Sequence, residues 1–227
     1  MSDSRIRGAK ACVFDAYGTL FDVHSAVGRH RDTLGEAADA VSVTWRDKQL
    51  QYSWLRSLMG AYVPFWQVTR EALDYAFAVQ GVEDDALAEA LMGAYLELDA
   101  YPEVKSTLET LRGQGMSLAI LSNGNREMLD AAVGNAGLKP LFDAVLSVEA
   151  VGTFKPHISA YQLGCDSFGV TADEICFLSS NAWDVCGAAH FGFQVAWINR
   201  FSQPAERLPG ERKAVIKTLD ELPPLIC

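Results

Sequence analysis

Positive charge is scarce in this chain. The formal net charge is −10 at pH 7, which argues against a general affinity for nucleic acid or an anionic membrane surface. An anionic ligand would need a local positive site that the net charge hides. Long apolar runs are also missing, and none comes near the roughly 20 residues that a membrane-spanning helix needs. Cysteine is sparse: the five residues Cys12, Cys165, Cys176, Cys186 and Cys227 form no Cys-x-x-Cys pair. Odd in number and mostly set in apolar surroundings, they read as reduced, buried thiols of a cytoplasmic protein. The four histidines (His24, His30, His157 and His190) are scattered. None pairs with a candidate Ser or Cys nucleophile. The start, Met1-Ser2-Asp3-Ser4-Arg5, is polar and leads straight towards an apolar run, so no signal peptide is expected. Internal repeats and low-complexity segments are absent.

What is present is enough for a substantial core: 227 residues, 49% of them hydrophobic. That suits one large domain, or a core domain with an insertion. Strand-like runs recur at residues 11–14, 118–121, 144–146, 175–178 and 195–198. Helical patterns separate the later ones. One helix is expected to start at Pro102, with Val104, Leu108 and Leu111 on one face and Gly113 as its stop. Another follows Pro156, with Ile158, Tyr161, Cys165 and Phe168 at helical spacing. Thr171-Ala172-Asp173-Glu174 reads as a capping box before the fourth strand. This alternation predicts an α/β protein with a Rossmann-like, doubly wound parallel sheet. Between the first and second strands lies a long segment that looks helical throughout. The expected division is a core of residues 1–21 and 99–227 and a helical cap of residues 22–98, inserted after the first strand. Leu50, Trp54, Leu55 and Leu58 form one apolar stripe in it, continued by Phe65, Val68, Leu73, Ala76 and Phe77. Such a segment serves as a bundle with its own core, as a lid that excludes water from a site, or as a dimer interface.

Four polar clusters sit at the ends of these strands or open the helices after them. The first is Asp15 with Thr19, where the run Ala11-Cys12-Val13-Phe14 breaks into a carboxylate and a glycine turn. The second is Ser122-Asn123-Gly124-Asn125, the third Lys155-Pro156, and the fourth Ser179-Ser180-Asn181-Ala182-Trp183-Asp184. Right-handed crossovers put all the strand carboxyl ends on one edge, so the clusters should converge there. Each has a bland reading on its own. Asp15 could cap a helix, Ser122 and Asn123 could be turn residues, Lys155 could be solvated, and Asp184 could be an acid favoured by a helix dipole. Four of them in order, each at a strand end, make a site, with Asp15 as its candidate nucleophile.

The run Asp15-Ala16-Tyr17-Gly18-Thr19-Leu20 resembles the first motif of the haloacid dehalogenase superfamily. Phosphatases of that superfamily carry a second Asp two places after the first, where this chain has Tyr17. The change removes a general acid and a magnesium contact, and it points from phosphate esters towards carbon–halogen bonds. A narrower similarity rests on Phe14 to Leu20, on Trp45-Arg46-x-x-Gln49-Leu50-x-Tyr52-x-Trp54, and on the second and fourth clusters. These look like the L-2-haloacid dehalogenases, and the resemblance covers nearly the whole chain. It implies that Asp15 is the nucleophile and that Arg46, Asn123 and Trp183 hold the leaving halide. Ser122 and nearby backbone N–H groups, around Ala16 and Tyr17, would bind the substrate carboxylate. Lys155 would balance the anionic charges, with Thr19, Tyr161, Ser179, Asn181 and Asp184 in support. Tyr17, Leu50, Phe65 and Trp183 would surround the substrate's alkyl group. No metal or cofactor is implied, and the expected partners are a small 2-haloacid, its halide product and a second copy of the chain.

Elementary electrostatics agrees. A carboxylate attacking an anionic substrate in a dry pocket meets a costly repulsion, which a nearby Lys155 offsets. Halide departure builds negative charge, so an Arg and an amide aimed there lower the barrier. The second step, attack of water on an aspartyl ester, needs a group to orient or deprotonate that water, for which Asp184 and Asn181 are both candidates. The rival readings are a magnesium-dependent phosphatase for small phosphate esters and a non-catalytic scaffold on the same fold.

Overall fold

Four consecutive buried residues, Ala11–Phe14, form the central strand β1. A strand buried on both faces loses the polar–apolar alternation of a half-exposed one. The computed structural model describes residues 4–227; the first three residues of the polar start lie outside it. After β1 come five helices in succession: α1 (Ser25–Arg29), α2 (Arg31–Leu34), α3 (Ala38–Met59), α4 (Phe65–Gln80) and α5 (Asp85–Tyr95). Then α6 (Val104–Gly113), β2 (Ser117–Ser122), α7 (Arg126–Asn135), β3 (Ala144–Ser147), α8 (Ile158–Phe168), β4 (Ile175–Ser179), α9 (Ala182–Phe191), β5 (Gln194–Ile198) and β6 (Ala214–Ile216) complete the chain.

The six strands are all parallel, in the order β3-β2-β1-β4-β5-β6. This is the doubly wound order in which the winding reverses beside β1, between β1 and β4. The crossovers on either side of that point diverge, and a crevice opens at the strand carboxyl ends. Asp15 follows β1, and its N–H donates to Leu178 O of β4 at 2.8 Å. The sequence therefore places its carboxylate at the mouth of the crevice.

The helical insertion leaves and rejoins the sheet through one paired neck. Phe21 bridges Ala100 in antiparallel fashion, Asp22 N–H donates to Asp99 O (2.8 Å), and Tyr101 N–H donates to Leu20 O (3.0 Å). The insertion does not have a core of its own. Val41, Trp45, Phe65, Leu73 and Leu91 belong to the same buried apolar cluster as Phe14, Ile120 and Leu178 of the sheet.

Several expectations need correction. α6 starts at Val104, because Val104 N–H closes a turn onto Tyr101 O (3.0 Å) and leaves Pro102 in that turn. Ile158, expected on the buried face of α8, is 61% exposed at the first position of that helix. The stripe of Leu50, Trp54, Leu55 and Leu58 is not the core face of α3. Leu58 is 85% exposed and Leu55 44%, while the buried face is Ala38, Val41, Trp45, Gln49 and Ser53. Leu50 and Trp54 are half-buried, Trp54 edge-on to the Trp183 ring at 5.3 Å, and only Leu55 and Leu58 turn outward, so the stripe runs off the core at its far end. β6, three residues between charged neighbours, was not foreseen. The Thr171–Glu174 capping box is present, on a single 3₁₀ turn.

Candidate active site

The four clusters meet at the carboxyl edge of the sheet around Asp15. The carboxylate is buried and receives a hydrogen bond on each oxygen. Oδ1 accepts from Lys155 Nζ at 2.8 Å. Oδ2 accepts from Thr19 Oγ1 (2.9 Å), from Asn181 Nδ2 (2.8 Å) and, at the long limit, from Ser179 Oγ (3.4 Å). These donors come from the loop after β1 and from the end of β4, neighbouring strands whose register is fixed by the pairing of Phe14 with Leu178. The carboxylate therefore cannot rotate without losing several partners at once.

Lys155 is 1% exposed. Its ammonium bridges Asp15 and Asp184 Oδ2 (2.6 Å) and also donates to Leu121 O at 3.1 Å. All three of its donors are thus used, in the one geometry that makes a buried ammonium tolerable. Burial would lower the Lys155 pKa, but the two carboxylates reverse that and hold it above the ordinary lysine value. Burial pushes the Asp184 carboxyl up to about 6; Lys155 opposes the rise and the negative charge of Asp15 adds to it. Its other oxygen accepts from Tyr161 Oη at 2.8 Å. Burial, and the negative charge of Asp184, raise the Tyr161 phenol well above its usual range, so it is a donor here. Gly187 makes that contact possible: a Cβ there would lie 2.5 Å from Tyr161 Oη.

A tight cavity of about 10 Å³ lies over Asp15, lined by Asp15, Tyr17, Arg46, Leu50, Phe65, Ser122, Asn123, Lys155, Asn181 and Trp183. That is about one water's worth of room. Every residue on this wall was among the expected site residues. The insertion supplies Arg46 and Leu50 from α3 and Phe65 from the start of α4. Arg46 Nη2 donates to Asn181 Oδ1 at 3.2 Å. Asn123 Oδ1 accepts from Lys155 N–H at 2.9 Å, which turns its amide NH₂ the other way. The Trp183 indole N–H is buried without a protein acceptor, and so is the Tyr17 hydroxyl. Burial drives the Tyr17 phenol well above its usual pKa, so it stays neutral. Its ring approaches closely because residue 124 is glycine; a Cβ there would lie 2.7 Å from Tyr17 Cε2. Ser122 Oγ accepts from Gly124 N–H (3.1 Å) and keeps its own proton to donate.

Five of the expected site residues lie off the wall, of which Thr19 and Ser179 still reach Asp15 through the hydrogen bonds given above. Tyr161 does not face the cavity; it stands behind Asp184 and reaches the site only through it. Asp184 is itself fully buried behind Lys155, with both oxygens occupied. Ala16 is fully buried, and its carbonyl accepts the N–H groups of Thr19, Leu20 and Phe21, forming the turn that presents Thr19 to Asp15. Two residues of the clusters take roles that the sequence reading does not assign. Ser180 Oγ donates to Gly18 O (2.6 Å) while Ser180 N–H donates to Thr19 Oγ1 (2.8 Å), tying the fourth cluster to the first. Asn125 Oδ1 accepts from Trp66 N–H at 3.2 Å. It opens α7 but makes no cap bond there, and serves instead the first turn of α4, whose own preceding residue, Pro64, has no side-chain acceptor.

The donor set does not fit a divalent cation. The two carboxylates are already bridged by an ammonium, and Tyr17, two places after Asp15, brings no carboxylate to the site. Such an ion requires a cage of oxygen ligands. With Asp15, Asp184, Lys155 and Arg46, the site has two negative and two positive side chains before a substrate arrives.

Comparison with known proteins bears on this geometry. Residues 9–192 match the model of a haloacid dehalogenase-like hydrolase. The chain belongs to that family. It is 49% identical over 96% of its length to (S)-2-haloacid dehalogenase 4A of Burkholderia cepacia, covering 94% of that protein. It is 42% identical to haloacetate dehalogenase H-2 of Moraxella sp. (strain B), covering 96% of this chain and 97% of the other. Among solved structures, an L-2-haloacid dehalogenase from Xanthobacter autotrophicus with chloropropionic acid covalently bound superposes with a TM-score of 0.90 at 42% identity, over 96% of this chain and 98% of that one. Family membership thus confirms the α/β fold and the hydrolase class read from the clusters.

Proposed function

We propose that this protein hydrolyses short 2-haloalkanoic acids of L configuration to 2-hydroxy acids, with inversion, through an ester on Asp15. The observation that carries the reading is a buried carboxylate with donors on both oxygens, under a cavity walled by Arg46 and the Trp183 indole. Asp15 Oδ1, touched by Lys155 alone, attacks the 2-carbon in line with the departing halide. Arg46, the Asn123 amide and the Trp183 N–H receive that halide, where each donor offsets developing charge. Ser122 binds the substrate carboxylate, and Tyr17, Leu50, Phe65 and Trp183 enclose the alkyl group. Oδ2 becomes the ester carbonyl. Its donors Thr19, Ser179 and Asn181 are then an oxyanion hole for the attack of water on the Asp15 carboxyl carbon.

Substrate adds one negative charge to a balanced site, which Lys155 and Arg46 offset locally. Residues 22–98 act as a cap on a core of residues 1–21 and 99–227. The cavity is too small for a three-carbon acid as it stands, so the cap moves away to admit substrate and closes Arg46 over it. The chain works as a homodimer in the cytoplasm, an assignment supported by the exposed Leu55, Leu58, Met59, Tyr75 and Val79 on α3 and α4 and by the buried free thiols. No described helix is long and apolar enough to cross a membrane.

The test is halide release from chloroacetate and from each enantiomer of 2-chloropropionate, with and without a strong chelator. Release from the L enantiomer alone of the pair, indifferent to chelator, is expected. Loss of activity restored by magnesium would favour the phosphatase reading. Sedimentation at micromolar concentration, with Leu58→Lys as the comparison, tests the dimer.

A further inference from the structure

Arg46 reaches the cavity from a long helix in the insertion, on a flexible side chain that must give up its rotamer freedom to stay there. Something must hold it. Its Nη1 donates to Gln49 Oε1 at 2.7 Å. Gln49 is 1% exposed, a costly place for an amide unless every polar atom is paired. It is fully paired. Nε2 donates to Thr69 Oγ1 (2.8 Å), and the amide also exchanges hydrogen bonds with the Tyr95 hydroxyl at 3.1 and 3.2 Å. Thr69 Oγ1 in turn donates to Phe65 O at 2.7 Å.

The polarity of this chain is forced by its ends. A guanidinium only donates, so the Gln49 atom facing Arg46 must be the oxygen. The nitrogen then faces Thr69, whose single proton is left for Phe65 O. At the other end, the Asp15 carboxylate only accepts, so Asn181 turns its NH₂ to Asp15 and its oxygen to Arg46. Arg46 therefore heads two donor chains, one through Gln49 and Thr69 to the backbone carbonyl of Phe65, a cavity residue, and the other through Asn181 to the nucleophile. Behind Arg46 lies a second space of about 10 Å³, lined by Arg46, Gln49, Trp45, Tyr95, Val23, His24 and Ser42. Packing is therefore loose on that side of the Arg46 side chain, and its hold there falls to the hydrogen bond with Gln49.

We propose that Gln49 is a positioning residue for halide departure: it fixes Arg46 in the cavity while leaving its positive charge intact. The inference rests on the reading that Arg46 receives the halide. Only a neutral acceptor with a donor on its other side fits the post. A glutamate would neutralise the guanidinium that must meet the halide, and could not donate to Thr69. A methionine would fill the space and hold nothing.

The experiment is single-turnover kinetics with 2-chloro- and 2-bromopropionate, reading halide release and ester breakdown separately, for Gln49→Met, Gln49→Glu, Arg46→Lys and the double variant Arg46→Lys/Gln49→Met. Gln49→Met should slow halide release about 10²-fold, the usual penalty for a misplaced reacting group. The loss should be larger for chloride, which needs more help to leave, and ester breakdown should be unchanged. The double variant should be no slower than Arg46→Lys alone, because the two act as one unit. If Gln49→Met fails to fold, Gln49→Glu, which keeps an acceptor, decides the matter by the same chloride-selective loss. Native rates, equal losses for both halides, or multiplicative losses in the double variant would overturn the proposal. An Arg46→Lys variant with no leaving-group dependence would overturn the halide role of Arg46 itself; a halide-dependent Arg46→Lys beside an indifferent Gln49 overturns only the positioning role.

Discussion

Replacing Lys155 by Met removes the one cation between two buried carboxylates and keeps most of the stem volume. Asp15 loses its 2.8 Å partner and Asp184 its 2.6 Å partner. Breaking a buried ion pair from one side typically costs about 3–5 kcal/mol, a large part of the roughly 5–15 kcal/mol that holds a domain folded. The loss has a pH signature. In the native protein Asp184 already titrates at about 6 because of burial, with Lys155 opposing the rise. Without Lys155 its folded pKa moves further up, well above the unfolded value near 3.9. A carboxyl with a raised folded pKa is relatively stabilised below that pKa and loses this stability as pH rises through it. Above pH 6 the native carboxylate is ionised while that of the variant still takes up a proton. The deficit should therefore shrink on acidification from pH 8 to 6 by up to about 1.4 kcal/mol per unit. Urea denaturation of both proteins at pH 8, 7 and 6 gives the difference directly. A deficit below about 1 kcal/mol at pH 8, or one equal at all three values, would refute the reasoning. Lys155→Met/Asp184→Asn, with one charge fewer to bury, should recover much of the stability and none of the activity.

Turnover should fall as pH drops through about 6, because protonated Asp184 no longer holds Lys155 in place; a kcat profile flat down to pH 5 would contradict this. Asn125→Ala removes the acceptor for Trp66 N–H at the start of α4. A lost helix cap costs about 1 kcal/mol, and since this one joins the insertion to the core it should raise KM several-fold with little change in the rate of ester breakdown. An unchanged KM would mean that the contact does not help to hold the insertion against the core.

The sheet was legible because a doubly wound fold writes itself locally. Each strand is a short apolar run, each crossover a helix, and the clusters at the strand ends follow from topology. The core side of the cavity wall was legible for the same reason, whereas Tyr17, Arg46, Leu50 and Phe65 were placed there only by the resemblance of the motifs. What stayed hidden is tertiary. α3 buries Gln49 and Ser53 and exposes Leu55 and Leu58, so its hydrophobic pattern follows the core only in part. The inner polar residues serve Arg46 and neighbouring backbone, and no pattern of apolar residues encodes that. Tyr161 falls at helical spacing on α8 and was expected in support of Lys155. Only the packing of α8 against α9 shows that it ends on Asp184 instead. The role of Asn125, reaching across to α4, joins residues 59 apart and has no local signature. For Gln49 there was a signal: an amide four residues after Trp45 on the same face, in a helix expected to be packed.

The central claim is the covalent ester on Asp15, and the fate of solvent oxygen tests it most directly. In ¹⁸O-water with enzyme in excess over L-2-chloropropionate, each molecule turns over once. If Asp15 Oδ1 attacks carbon and water then attacks the Asp15 carboxyl carbon, the product hydroxyl carries an aspartate oxygen and the label stays on Asp15. Mass spectrometry of the peptide containing Asp15 should show a gain of one ¹⁸O, and the first-turnover hydroxy acid should be largely unlabelled. Label in that first product with Asp15 unlabelled would mean that water attacks the substrate and that Asp15 acts only as a base.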